Sequence, residues 1–147
     1  MTVQTISEVK TEIIAKYPQI ELSEAGHFFV PVSQLADIML DLKVSFGFDF
    51  LTNLTAVDHV EHFNVVYNLS KTTGPEMLHI ITKVDRNEPK VPSMVPIWGG
   101  AVWQERETYD LVGIIFTGHP NLKRILLDDN WEDHPLRRDF QWEGGRD

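Results

Sequence analysis

The chain has 147 residues, of which 42% are hydrophobic and 24% charged. That size and balance fit one globular domain with a proper core, and no apolar run is long enough to span a bilayer. Thirteen Lys and Arg against 22 Asp and Glu give a net charge of −9, which repels a phosphate backbone and argues against nucleic-acid binding. The absence of cysteine removes disulfides, thiolate nucleophiles, Cys-ligated zinc and cysteinyl iron–sulfur ligation together.

Met1 to Lys10 has no apolar h-region, no Arg and an early Glu8, so neither a secretory signal nor a transit peptide is expected, and the cytosolic side of a membrane is the default location. From Ile6 the residues Ile6, Val9, Ile13, Ile14 and Tyr17 recur at three-to-four spacing, which predicts an amphipathic helix stopped by Pro18. His27 to Val32 reads as a short strand. Ser33 is the expected N-cap of a second helix with the stripe Leu35, Ile38, Met39, Leu42 and Phe46, closed by Gly47.

Three strand-like runs follow: Phe48 to Asp58, His62 to Leu69 and Met77 to Val84. The middle run alternates, with Phe63, Val65, Tyr67 and Leu69 on one face. Short linkers with turn residues favour an antiparallel meander. Early helices followed by grouped strands predict an α+β domain of two layers, the N-terminal helices packed on a mainly antiparallel sheet. Pro89, Pro92 and Pro96 make residues 86–97 a loop. Residues 98–147 then form a further helix and an irregular Arg/Trp-rich segment, holding all four Trp and five of the six Arg.

Ala101 to Val112 is helix-compatible and Gly113 is its natural stop. At 100° per residue, Trp98, Ala101, Val102, Tyr109 and Val112 share a face, with Glu105 in the middle of it. A carboxylate there must find a partner or take up a proton. It is either a tuned acid or interface ion pair, or a structural carboxylate paired to Arg124, Arg137 or Arg138. Trp103, Glu107 and Asp110 fall on the opposite face, an exposed Trp beside acids that suits a docking surface. Arg106 and Asp110 are spaced to pair along the helix.

His119-Pro120 and His134-Pro135 are turn-forming dipeptides. The run Asp128, Asp129, Asn130, Glu132 and Asp133 lacks the Gly and terminal Glu of a calcium loop. His59 and His62, flanked by Asp58 and Glu61, give only a weak zinc signal. The chain also has no G-x-G-x-x-G, no phosphate-binding loop, no H-E-x-x-H and no G-x-S-x-G.

Glu105 to Ile114, Phe116, Gly118-His119-Pro120, Leu122, Lys123 to Leu126 and His134 to Phe140 form three ordered blocks. Together they resemble the signature of the thirty-kilodalton subunit family of respiratory complex I, an NADH:quinone oxidoreductase. The likeness runs more loosely through Leu54 to Asp58, Phe63 to Tyr67 and Val91-Pro92-Ser93, and so covers most of the chain beyond about Gly26. The resemblance implies a non-redox subunit, without catalytic activity of its own, in the hydrophilic arm of a proton-pumping complex. FMN, iron–sulfur clusters and quinone would be held by partner subunits. It further implies docking against the hydrogenase-like large (D) subunit near the quinone site, peripherally on the cytoplasmic side of the membrane. Trp103, Glu105, Arg106, Glu107, Asp110, His119, Arg124, His134, Arg137, Arg138 and Asp139 are then expected to form a polar network that presents the helix and tail to that partner. Equivalent subunits of ferredoxin- or F420H2-dependent complexes and of membrane-bound hydrogenases share the motif. A stand-alone metal-dependent enzyme is the alternative from a different class.

Overall fold

The structure, a computed structural model, describes residues 6–120, 122 and 134. The first helix, α1 (Ile6–Lys16), turns Val9 and Ile13 into the core and ends before Pro18. Its last turn is tied to the second helix, α2 (Leu35–Val44), because Lys16 pairs with Asp41 at 2.6 Å and the Tyr17 hydroxyl also donates to Asp41. These donors, with Ser45, hold the Asp41 carboxyl down at about 2. Burial and the Asp41 charge push Tyr17 up to about 12.

Between the helices lie two-residue strands, β1 (Glu21–Leu22) and β2 (Phe28–Phe29). Then come the long strands β3 (Phe50–Asp58), β4 (His62–Ser70) and β5 (Met77–Asp85), connected as an antiparallel meander. The sheet order is β1-β2-β5-β4-β3, which leaves β3 at one edge. Leu51 and Leu54 from β3, Phe63, Val65, Tyr67 and Leu69 from β4, and Leu78, Ile80 and Val84 from β5 enter one core with Leu35, Ile38, Met39 and Leu42 of α2. The inward alternation of β4 is the one its sequence displays.

Three local departures from the sequence reading have physical causes. Ser33 does not cap α2; residues Val32–Gln34 form a 3-10 turn instead, and no side chain bonds the first free amides. The strand expected from His27 to Val32 shrinks to two residues, since Pro31 brings no N–H, although Val30 N–H still reaches the Ile81 carbonyl at 2.9 Å. That short strand pairs parallel to β5, so the sheet is mixed, though still mainly antiparallel.

The Pro-rich loop is not wholly irregular either. Lys90–Pro92 forms β6, which pairs parallel with β7 (Ile115–Thr117). Proline bars a central strand but not one in a two-stranded ribbon, where one side of each strand needs no ladder partner. The helix α3 (Ala101–Val112) crosses between these strands and lies on β3. Buried Trp98 anchors its approach, donating from Nε1 to the Phe48 carbonyl at 3.2 Å. Gly113, at φ 89°, ends the helix in the left-handed conformation that glycine tolerates, and its N–H returns to the Tyr109 carbonyl.

Candidate functional site

The chemistry of the chain gathers around α3. Ala101, Glu105, Thr108 and Val112 recur at helical spacing and are buried, so the face toward the sheet is apolar except for a carboxylate and a hydroxyl. Thr108 meets its need locally by donating to the Gln104 carbonyl at 2.9 Å. Glu105 has no accessible surface and is served from the segment just before the helix. The Ser93 hydroxyl donates to Oε1 and the Met94 N–H donates to Oε2, each at 2.6 Å.

Those two donors do not offset the loss of water. Burial raises the Glu105 pKa from its ordinary 4.5 to about 7, with the Ser93 and Met94 bonds acting in the opposite direction. The Tyr67 hydroxyl is buried with no hydrogen-bond partner among the described residues. Burial first, and then the charge of Glu105, drive its pKa far above the usual phenol range.

His119 closes the site from the far side. Gly118, at φ 84°, allows the turn that swings the imidazole inward. Its side chain is fully buried, donates from Nε2 to the Val102 carbonyl at 3.0 Å, and places that nitrogen 4.0 Å from Glu105 Oε1. Further on, His134 Nδ1 donates to the Asp110 carbonyl at 3.1 Å, and its ring lies 6.1 Å from that of Tyr109. Both histidines therefore grip the same flank of α3.

That grip corrects one expectation. Asp110, placed by the helical wheel on the outward face with Trp103 and Glu107, is fully buried. A wheel registers the face toward the sheet but not contacts such as those of His119 and His134, which reach the helix from beyond Gly113. Trp103 and Glu107 are exposed as expected, Trp103 at 58%, and the Arg106 guanidinium stacks 5.1 Å from the Trp103 ring. The arginines that the structural reading gives Glu105, Arg124, Arg137 and Arg138, lie outside the described residues; among the described residues its partners are Ser93, the Met94 amide and the nearby His119. Arg124, Arg137, Arg138 and Asp139, and the acidic run Asp128 to Asp133, lie outside the described residues.

Ser93, Met94 and Tyr67 were not singled out from sequence as parts of the site. Ser93 carried a faint signal, a lone polar side chain between Val91 and the apolar Met94 to Ile97. The Met94 contribution is a backbone N–H, which has no signature in a sequence.

The histidines of the β3–β4 turn are accounted for by that turn. The His59 and His62 rings stack 5.1 Å apart at 19°, and Asn64 Nδ2 donates to His59 Nε2 at 3.1 Å. Asp58 points the other way, into the protein, where it pairs with Arg86 and accepts the Val60 N–H at 2.7 Å. Among the described residues no group of three His, Asp or Glu could hold a metal ion. Among them, too, no helix is long and apolar enough to cross a membrane.

Known proteins resemble this chain in sequence and in fold. The NADH-quinone oxidoreductase C subunit of Moorella thermoacetica is 43% identical over 141 residues, covering 91% of this chain and 95% of that protein. The C subunit of Roseiflexus sp. is 48% identical over 95 residues, and there the match takes in 63% of this chain and only 55% of the relative. A combined C/D subunit of the NADH-quinone oxidoreductase of Phocaeicola vulgatus is 41% identical over 76% of this chain, the match occupying 22% of the longer protein. Among solved structures, the trypsin-resistant fragment (1–134) of Nqo5 superposes with a TM-score of 0.68 at 32% identity, covering 80% of this chain and 98% of the fragment. A chain of the archaeal membrane-bound sulfane sulfur reductase shares the fold, with a TM-score of 0.81 at 24% identity over 92% of this chain and 85% of that one. Residues 28–146 match the family described as respiratory-chain NADH dehydrogenase, 30 Kd subunit, and with relatives this similar along nearly its whole length the chain belongs to that family of oxidoreductase-complex subunits.

Proposed function

We propose that this chain is a non-redox structural subunit of the peripheral arm of a proton-pumping NADH:quinone oxidoreductase. Its task is to hold the hydrogenase-like large subunit in place near the quinone site. The observation that carries the reading is the division of labour on α3. Glu105, Thr108 and Asp110 are buried and committed to the fold, while Trp103 stands 58% exposed under the Arg106 guanidinium with exposed Glu107 beside it. Trp and Arg are the residue types that most often anchor a protein interface. The combined C/D protein of Phocaeicola vulgatus supports the large (D) subunit as the neighbour, since there both letters belong to one polypeptide.

On this reading the isolated chain has no catalytic activity, FMN, iron–sulfur clusters and quinone sit in partner subunits, and the chain reaches the cytoplasmic side of the membrane only through the complex. The fold it shares with the sulfane sulfur reductase chain favours a second reading, an equivalent subunit in a related respiratory or hydrogenase complex. Affinity purification of the tagged chain from the membranes of its native host, followed by mass spectrometry, separates these. Recovery with a hydrogenase-like large subunit and NADH-oxidising subunits is the expected result. A nickel-binding large subunit in its place would move the chain to a hydrogenase, and recovery alone would overturn the docking role.

A further inference from the structure

We propose that the outer edge of β3, together with the flank of α3 beside it, is a docking groove for an extended basic segment of the large subunit, added to the sheet as a sixth strand. The proposal rests on the docking reading above and gives it a location. Among the described residues, no strand pairs with this edge. The parity of the ladder shows which backbone groups it presents. His59 N–H donates to the His62 carbonyl at 2.9 Å, so 59 and 62 are a hydrogen-bonded pair, and by alternation along the register so are Val57 with Asn64, Thr55 with Val66 and Asn53 with Asn68. Leu54 and Ala56 therefore direct their N–H and C=O away from β4.

Both residues line a groove of about 180 Å³ whose opposite wall is α3, through Glu107, Thr108, Leu111 and Val112. The two flanks of α3 differ. His119 and His134 cover the flank that carries Val102, Tyr109 and Asp110, whereas Gln104, Glu107 and Leu111 lie on the other, toward the edge strand. Gln104 shows that the edge is within reach of the helix, for its Nε2 donates to the Leu51 carbonyl at 3.4 Å.

The same features select the occupant. Edge strands left to solvent are usually protected by lysine, proline or a bulge; the sequence of β3, FLTNLTAVD, contains neither residue, and its one register irregularity, between Leu51 and Asn53, precedes the regular ladder of Asn53 to Asp58. Among the described residues Glu107 is the one charged side chain lining it, so a segment carrying Lys or Arg is favoured over an acidic one. An extended segment of four or five residues, at about 3.4 Å per residue, would span Leu54 to Ala56 and reach Gln104.

Two measurements on the complex purified from its host test this. First, amide hydrogen exchange at Leu54 and Ala56 is compared between the free full-length chain and the assembled complex; protection is expected to rise at least tenfold on assembly. Second, Ala56→Pro removes the outward N–H while leaving the β4 ladder intact, and Glu107→Lys reverses the charge. Each is expected to keep the circular dichroism spectrum and melting temperature of the free chain but to lower recovery of the large subunit at least tenfold. Unchanged exchange at Leu54 and Ala56 in a complex that does contain the large subunit would overturn the groove while leaving the docking role standing. A chain that recovers no large subunit even as wild type would instead overturn the docking role itself. Should Ala56→Pro fail to fold, the exchange comparison and Glu107→Lys still decide the matter.

Discussion

Replacing Glu105 with glutamine isolates the energetic consequence of a carboxylate sealed in the core. In the folded chain Glu105 keeps its proton up to about pH 7, whereas in the unfolded chain it releases it near its ordinary 4.5. Between these values unfolding releases a proton, so stability must fall as pH rises through this window and level off above it. At about 1.4 kcal/mol per pH unit the gap amounts to about 3 kcal/mol. Glutamine is neutral throughout; its oxygen can accept the Met94 N–H and its NH2 can donate to the Ser93 hydroxyl, so both partners remain satisfied. Glu105→Gln should therefore match the parent within about 1 kcal/mol at pH 4.5 and exceed it by about 3 kcal/mol at pH 8. Urea unfolding of both proteins at several pH values, read as a difference at constant m-value, measures this. A difference that did not change with pH, or that favoured glutamate more strongly at pH 8, would refute the reasoning, for it would mean that a cation stabilises the charged carboxylate.

Other sites make simpler demands. Arg86→Ala leaves Asp58, whose side chain is only 2% exposed, without its guanidinium; a loss of about 3 kcal/mol is expected in chemical denaturation, as for other buried pairs broken on one side. Val60 sits at φ 71° with 58% of its surface exposed, so Val60→Gly relieves left-handed strain at little packing cost. It should raise stability by about 0.5–1 kcal/mol after the added flexibility of the unfolded chain is counted, and a destabilised variant would show that the turn carries no strain. Trp103→Ala should leave the free chain's unfolding midpoint in place but weaken assembly by about 2 kcal/mol, roughly thirtyfold in affinity, when titrated against the purified large subunit.

Periodicity made part of this molecule readable and could not reach the rest. The alternation of β4, the stripes of α1 and α2, and the span of α3 up to Gly113 are local patterns, each written within a dozen residues. The sequence also exposes a problem at Glu105, a charge in an apolar stripe, but the solution comes from Ser93 and the Met94 amide on a segment that the prolines mark only as irregular. The parallel pairing of β2 with β5 rests on two residues and joins segments some fifty positions apart, below what any window of alternation can register. Asp110 departs from its wheel position for a related reason: His134, twenty-four positions on, packs back against that turn of the helix, a long-range contact.

These long-range contacts also decide which part of α3 remains for a partner. The sheet takes the face of Ala101, Glu105, Thr108 and Val112, and the two histidines take the flank of Val102 and Asp110. A helix held from two sides cannot rotate to suit a partner, and its remaining side chains are presented at fixed positions. Among the described residues Trp103 and Glu107 are the exposed side chains of the helix, with Arg106 stacked on Trp103 and with Gln104 and Leu111 turned to the edge of β3. The buried polar groups thus act on assembly at one remove. Their cost is local, a Glu105 carboxyl whose pKa burial raises and a Tyr67 hydroxyl without a partner among the described residues, and their effect is a rigid surface, for which less ordering entropy is lost on docking.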